Sequence, residues 1–169
     1  GATQNTFALL RDKAGLTLDA VEQRVRHHVE PVAAQADYLK TMIESGLIDA
    51  DDPRVLGVAL KAALAATPQV AGIGFVRADD LRMLGADRSG GALGEEDWSG
   101  RPEIAKIVAD LRAGGAGGWR APVWSPAFRQ TIIPLVTPVR RDGRLIGLLI
   151  LVLDARELSA YVAGFSTPD

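Results

Sequence analysis

The sequence predicts an α+β fold: one five-stranded antiparallel sheet with a long N-terminal helix packed across it and a short C-terminal helix. The run Leu145 to Leu153 (LIGLLILVL) is almost wholly apolar, and a strand that is apolar on both faces lies centrally in a sheet with both faces covered. The elements run long helix, helix, two strands, loop and helix, three strands, helix. Residues 5–45 carry a helical pattern longer than an ordinary globular helix.

Two companion series of residues seven apart define the stripe of that first helix. They are Phe7, Ala14, Val21 and His28, and Leu18, Val25, Val32 and Leu39. A narrow stripe of this kind fits one helix that buries it on the sheet. It also fits a helix that pairs with a second copy in a homodimer. Pro31 is expected to kink the helix or divide it in two.

A second helix is predicted at about 53–67, since Asp52 is a good N-cap, Pro53 suits the first turn and Pro68 ends the pattern. The sheet and pocket region follows at about 70–153. It begins with strands at 70–77 and 81–87, then a glycine-rich acidic loop at 88–100. The remaining predicted elements are a helix at 102–111, strands at 119–124, 128–139 and 145–153, and a helix at 155–163 begun by Asp154.

Composition limits the function classes. The chain has 169 residues, 47% hydrophobic and 24% charged, which suits one globular domain. A formal net charge of -2 disfavours a nucleic-acid-binding surface. No cysteine is present, which excludes disulfides and thiolate metal sites. The longest apolar run is far short of the roughly 20 residues that a membrane helix needs.

Catalytic patterns are thin, so the sequence predicts no enzyme and no cofactor. His27 and His28 are adjacent, about 100° apart around a helix, and cannot share a face as metal ligands. The acidic residues 95–97 lack the spacing of a calcium-binding loop. Gly72-Ile-Gly74 lacks the third glycine of a dinucleotide site and is interpreted as strand glycines.

The tryptophans are the most informative residues. Aromatic residues make up only 5% of the chain, yet all three tryptophans lie between positions 98 and 124. Arg101, Arg120 and Arg129 lie near them. Aromatic walls with a guanidinium suit a small anionic ligand such as a carboxylate. The alternative is that the tryptophans are core residues and the arginines are solvated.

A family resemblance covers nearly the whole chain. It is carried by DWSGRPEIAKIV (Asp97 to Val108), GGWRAPVWSP (Gly117 to Pro126), TPVRRDGRLIGLLILVLD (Thr137 to Asp154) and the terminal ELSAYV. These segments and the order of elements resemble the extracytoplasmic Cache sensor domains of bacterial signalling receptors, also described as PDC or PAS-like domains.

The resemblance implies a single Cache-type sensor domain over residues 1–169, with a PAS-like sheet and a ligand pocket on its distal face. It implies a periplasmic domain of an inner-membrane protein, tethered through its first and last helices. Members belong to histidine kinases, nucleotide or diguanylate cyclases and chemoreceptors, and commonly bind small carboxylates or amino acids. The function so predicted is ligand sensing, with homodimerisation through the N-terminal helix.

By position, the resemblance implies seven ligand-binding residues: Trp98, Arg101, Trp119, Trp124, Arg129, Thr131 and, more weakly, Arg77. In the amino-acid-binding members an arginine stands two positions before the loop tryptophan, where this chain has Glu96. One alternative is a ligandless dimerisation or spacer module. Another is a cytosolic PAS-like domain that binds a planar cofactor.

Overall fold

Helices cover an antiparallel sheet in the computed structural model, which describes residues 17–88 and 93–164. The predicted α+β class is confirmed, but the described part of the chain has seven strands, not five. The helices are α1 (Leu18–Glu44), α2 (Pro53–Ala66), α3 (Pro102–Arg112) and α4 (Ala155–Gly164). The strands are β1 (Val70–Arg77), β2 (Arg82–Asp87), β3 (Leu93–Asp97), β4 (Gly118–Trp119), β5 (Val123–Ser125), β6 (Gln130–Arg141) and β7 (Arg144–Asp154).

β7 lies inside the sheet, as its continuous apolar sequence predicts. The strand order is β3-β2-β1-β7-β6-β4, and β5 also pairs with β6. β7 pairs antiparallel with β1 on one side and with β6 on the other. Its residues Leu148, Leu149 and Leu151 have no exposed surface. Both faces of this strand are therefore covered.

The two faces of the sheet are covered unequally. On one face, called here the α1 face, Leu149, Leu151 and Leu153 join a core with α1, α2 and α4. On the other, the α3 face, Leu148 packs with residues of α3 such as Val108. Three helices thus cover the first face and one short helix covers part of the second.

The first helix buries Val21, Val25, Val32 and Leu39 of its predicted stripe, whereas Leu18 of that stripe is 44% exposed. The buried residues of α1 are Val21, Val25, Val32, Ala36, Leu39 and Ile43. The helix continues without a break through the exposed Pro31, so the expected division at this residue is wrong. A proline on the solvent side removes one helical hydrogen bond without disturbing the packed side. Phe7 and Ala14 lie outside the described residues.

Two corrections concern the sheet edges. β3 was predicted as loop, but it pairs with β2 along its length, and all five of its residues are exposed. Charged residues on an edge strand prevent edge-to-edge association, and they also remove the apolar alternation that marks a strand. The strand predicted at 119–124 is two short strands separated at residues 120–122, where Pro122 has no N–H to donate.

Arginines within a strand or just after one donate hydrogen bonds to carbonyl groups at the C-terminal ends of helices. Arg141 donates to the carbonyl of Ile43 at 2.6 Å, and Arg88 donates to the carbonyl of Leu64 at 2.7 Å. Arg140 reaches the last turn of α3 in the same way. A cation here satisfies carbonyls without helical partners and complements the helix dipole. These contacts tie the first three helices to the sheet.

The junction of β7 and α4 is closed by a buried carboxylate. Asp154 is 8% exposed, and one of its oxygens accepts from the backbone N–H of Arg156 at 2.8 Å. The predicted helix start at Asp154 is thereby confirmed. We predict that Asp154→Ala lowers the free energy of unfolding by about 1 kcal/mol, because an N-cap acceptor is lost. Urea denaturation measures this, and Asp154→Asn should retain most of the stability. An equal loss in both variants would contradict the capping role.

The first and last helices meet at an aromatic contact. The ring of His28 on α1 lies 4.5 Å from that of Tyr161 on α4, centroid to centroid, with the planes at 37°. Burial lowers the pKa of His28 from its ordinary value of 6.5. The unfolded chain therefore takes up the proton at a higher pH than the folded chain does.

The pKa of His28 predicts a pH-dependent stability. The contribution of the neutral ring is complete above pH 6.5 and is lost as the pH falls below that value. We expect the melting temperature to fall between pH 7.5 and pH 5, and to fall less in His28→Gln, which has no titrating ring. His27→Gln, at an exposed position, is the matched control and should retain the wild-type slope. An identical slope in His28→Gln would show that other groups cause the dependence.

Candidate functional site

A cavity of about 220 Å³ opens on the α3 face of the sheet. It lies over β1, β2, β3 and β7, beside the turn that joins β5 to β6. Its lining is mainly apolar and includes Ile150 and Val152 of β7 and Phe128 of the turn. Trp98 and Arg101, which come just before α3, stand at its edge.

Glycines form the floor of this cavity. Gly74 pairs with Gly85, Gly85 pairs with Gly94, and Gly74 pairs on its other side with Ile150. Directly paired residues of antiparallel strands point to the same face. Gly94, Gly85, Gly74 and Ile150 therefore form one row across four strands, and the three glycines in this row have no side chain. Gly72 is two residues from Gly74 and therefore lies on the same face. The floor is lowered by the missing Cβ atoms.

The glycines also admit the side chains that lie on them. A Cβ at Gly72 would lie 2.6 Å from Cζ of Phe128, and a Cβ at Gly85 would lie 2.8 Å from Sδ of Met83. Phe128 and Met83 can therefore rest directly on the sheet. Phe128 then forms a wall of the cavity, and the flexible Met83 lies over its floor.

A three-residue cluster of Glu96, Trp98 and Arg101 stands at the mouth of the cavity. Nε1 of Trp98 donates to Oε2 of Glu96 at 2.7 Å, and Nη2 of Arg101 lies 3.6 Å from the same oxygen. The guanidinium carbon of Arg101 lies 4.4 Å from the centroid of the Trp98 ring. Guanidinium, indole and carboxylate thus hold one another in place.

The loop that presents Trp98 is held by backbone and side-chain contacts. The backbone N–H of Trp98 donates to the carbonyl of Leu81 at 2.9 Å. Next to it, the carboxylate of Asp97 accepts from the backbone N–H of Ser99 at 2.9 Å. The hydrogen bonds from the Ser99 side chain and backbone lower the pKa of Asp97. These contacts fix the position of Trp98.

Two of the seven predicted ligand-binding residues, Trp98 and Arg101, line the cavity. Trp119 packs into the core of the α1 face. Trp124 and Thr131 are direct register partners, and alternation with Ile133 puts both on the α1 face as well. The assignment of these three residues to a pocket therefore stays a prediction that the geometry does not support.

The other two predicted residues also lie away from the cavity lining. Nη1 of Arg77 lies 3.1 Å from Oδ1 of Asp51, and alternation puts Arg77 on the α1 face with Phe75. Arg129 is exposed in the β5–β6 turn, with a φ of 54°, next to Phe128. Their role in ligand binding likewise stays a prediction.

Sequence reasoning missed most of the cavity. Phe128 was predicted as the first residue of a strand, whereas it lies in the turn before β6 and lines the cavity. Gly72 and Gly74 were interpreted as strand glycines, and their spacing of two was the available sign that they share a face. Gly85 and Gly94 could be added only with the register of three strands known.

A larger recess of about 420 Å³ lies at the other edge of the sheet, between α1 and the segment 114–118. Its lining includes four glycines of the segment 114–118, with Asp37, Lys40 and Arg140 as charged side chains. None of the described residues that line it is aromatic. The cavity on the α3 face has aromatic walls, a recessed floor and charged groups at its mouth, so it is the better candidate for a small-molecule site.

No helix in residues 17–88 and 93–164 is both long and apolar enough to cross a bilayer. The same residues contain no cluster of three or more side chains able to hold a metal ion.

Comparison with known proteins gives structural matches only. No known family model and no curated protein matches the sequence. The sensory domain of the Campylobacter jejuni chemoreceptor Tlp3 with isoleucine bound matches with a TM-score of 0.64 and 16% identity, over 98% of this chain and 63% of that chain. The ligand-binding domain of the Pseudomonas aeruginosa PAO1 amino acid chemoreceptor PctC, in complex with GABA, matches with a TM-score of 0.62 and 16% identity, over 83% and 64%. An extracellular domain assigned to the histidine kinase soHK1S-Z6 matches with a TM-score of 0.66 and 15% identity, over 95% and 64%.

These matches confirm the predicted fold. The structural neighbours are sensory and ligand-binding domains of chemoreceptors and of a histidine kinase, not enzymes. At about 16% identity the likeness concerns the fold alone. The chain spans just under two thirds of the length of these solved chains.

The glycine floor predicts different outcomes for two similar substitutions. In Gly85→Ala the new Cβ would lie 2.9 Å from the backbone carbonyl oxygen of Ile73, which cannot move freely. We expect a loss of about 1–3 kcal/mol in the free energy of unfolding. In Gly74→Ala the nearest atom is Sδ of Met83 at 3.2 Å, a flexible neighbour. This variant should unfold within about 1 kcal/mol of wild type. Equal stabilities by urea denaturation would contradict the close strand packing.

Proposed function

We propose that this chain is an extracytoplasmic ligand-sensing domain of a membrane-bound bacterial signalling protein, and that the cavity on the α3 face binds its small-molecule ligand. The observation that carries the proposal is the Glu96, Trp98 and Arg101 cluster at the mouth of a glycine-floored cavity. The sensory domains with the same fold support it.

A direct path joins the cavity to the C-terminal helix. Ile150 and Val152 line the cavity, and Asp154, two residues after Val152, caps α4. A ligand that displaces β7 would therefore displace the start of α4. His28 and Tyr161 join α4 to α1, so the movement would change how these two helices lie together. The ligand can shift this equilibrium only by its differential affinity for the two arrangements.

The full-length context is part of the proposal. The first and last helices would lead to membrane spans, which makes the chain the periplasmic domain of an inner-membrane protein. The output would be a histidine kinase, a nucleotide or diguanylate cyclase, or a chemoreceptor. The structural neighbours, which belong to chemoreceptors and a histidine kinase, support this range.

Homodimerisation through the first helix belongs to the same proposal. Tyr38 is 61% exposed on the outer side of α1, and the exposed Ala34 lies one turn before it. This apolar surface also favours the second candidate function, a ligandless dimerisation or spacer module. A spacer would dimerise without binding any small molecule, which separates the two functions experimentally.

Ligand binding tests the sensing function. We expect a thermal-shift screen of amines, amino acids and carboxylates to find a ligand that, at about 100 times its dissociation constant, stabilises the fold by about 2.7 kcal/mol. Trp98→Ala should weaken the hit at least about tenfold by calorimetry, because it removes an aromatic wall.

Trp124→Ala is the matched control, since this tryptophan is 60% exposed on the other face. It should bind the hit as wild type does. A hit that depends on Trp124 and not on Trp98 would place the site on the α1 face. A screen without any hit, with a dimer in light scattering, would favour the spacer.

A further inference from the structure

We propose that the ligand of this cavity is an uncharged molecule with a single aromatic ring, in contrast to the carboxylate that the tryptophan and arginine pattern suggests. The inference rests on the proposed sensing function and concerns the chemical class of the ligand. It follows from the partners that the ionisable lining residues already have, and from the shape of the floor and walls.

The ionisable side chains that line the cavity have partners within the chain. They are Asp87, Glu96 and Arg101. Nη2 of Arg101 lies 3.6 Å from Oε2 of Glu96, and the same oxygen accepts from the indole N–H of Trp98 at 2.7 Å. Asp87 also has an interaction partner of its own. Among the described lining residues, no charged group is therefore left over to bind an ionised ligand.

An ionised ligand would lose its hydration in this cavity without gaining a free counter-charge. A carboxylate that approached Arg101 would also approach Glu96, and would have to displace it. An ammonium group at Glu96 would stand beside the guanidinium of Arg101, which repels it. Deeper in the cavity the lining includes the apolar Ile150 and Val152, where an unpaired charge is costly to bury. An uncharged ligand has neither cost.

The floor and walls suit a flat ring. The three glycines of the row leave the backbone of the sheet bare, so a ring can lie directly against it. Trp98 and Phe128 offer aromatic surfaces for stacked or edge-to-face contacts. Met83 is flexible, and its sulfur makes favourable contacts with aromatic rings. At about 220 Å³ the cavity is smaller than the roughly 300–1,000 Å³ of sites for drug-sized ligands, which fits a ligand of one ring.

A matched series of compounds tests the charge. The probes are benzyl alcohol, benzylammonium and benzoate, which differ in their polar group, and cyclohexylmethanol, in which the flat ring is saturated. Each is titrated into the ¹⁵N-labelled chain at low and high salt and followed by the amide chemical shifts of Gly74 and Gly85. We expect benzyl alcohol to bind about tenfold more tightly than either ion, because a charge without a free partner is costly to bury. Salt should leave its affinity within about twofold, since no charge attraction is screened.

The saturated probe and a change in the floor test the shape. Cyclohexylmethanol should bind about threefold more weakly than benzyl alcohol, because it makes no aromatic contacts with Trp98 and Phe128. Gly74→Ala places a methyl group on the floor and should weaken benzyl alcohol about tenfold, the effect of overpacking. Gly100→Ala is the matched control, since Gly100 does not line the cavity and a Cβ there meets no atom within 4 Å. Its affinity should stay within about twofold of wild type.

A charge-neutralising variant tests whether Glu96 is what withholds Arg101 from a ligand. In Glu96→Gln the guanidinium loses its carboxylate partner, so the affinity for benzoate relative to benzyl alcohol should rise about tenfold, the effect of a hydrogen bond to a charged group. Glu95→Gln is the matched control, because it removes the same charge from the adjacent residue, which points to the opposite face of β3. It should leave this ratio within about twofold of wild type, the weak effect of an exposed charge outside the site.

The outcomes separate the inference from the function on which it rests. Equal or tighter binding of either ion at the same amides, or an unchanged benzoate ratio in Glu96→Gln, would overturn the uncharged class and leave sensing intact. Equal or tighter binding of cyclohexylmethanol would overturn the aromatic ring. A hit from the thermal-shift screen that depends on Trp98, with no binding of benzyl alcohol, would overturn the inference and support sensing. Failure of all four probes and of every compound in that screen would overturn both proposals.

Discussion

The burial of β7 on both faces is the constraint on which the rest of the fold depends. A strand with leucines at successive positions 148 and 149, both fully buried, needs neighbours on each edge and cover on each face. β1 and β6 supply the edges, three helices cover the α1 face, and α3 covers the other. Since α3 has only 11 residues and packs near Leu148, it leaves Ile150 and Val152 uncovered by a helix. The cavity occupies that part of the sheet.

The same strand connects binding to the termini. Residues of β7 line the cavity at one point and cap α4 two positions later. The arginines that close the ends of the first three helices hold these helices against the sheet. α4 follows β7 directly and is held by the Asp154 cap and by packing against α1. Of the helices, α4 is therefore the one whose position a displacement of β7 would change most directly.

Glu96 shows how one residue changes the expected chemistry of a site. From the sequence, a tryptophan and an arginine near each other favour an anionic ligand. In the structure the glutamate two positions before Trp98 accepts from the indole and pairs with the guanidinium. The arginine is then part of a neutral cluster. The surroundings of a charged side chain decide what it can recognise.

The sequence by itself determined the features whose signals are local. The apolar run of β7, the stripe on α1, the helix start at Pro53 and the cap at Asp154 each depend on neighbouring residues, and each is found as predicted. Trp98 and Arg101 were the predicted site residues that reach the cavity, since they adjoin the same helix start.

Only the tertiary structure decided the rest of the site. A shift of one residue in register turns every side chain of a strand to the other face, so the sequence could not show that Trp119 and Trp124 face α1 while Gly74 and Gly85 face α3. The acidic β3 is a strand because β2 offers it unpaired backbone groups, not because of its own residues. The cavity exists where glycines from three strands align, and that alignment is a property of the assembled sheet.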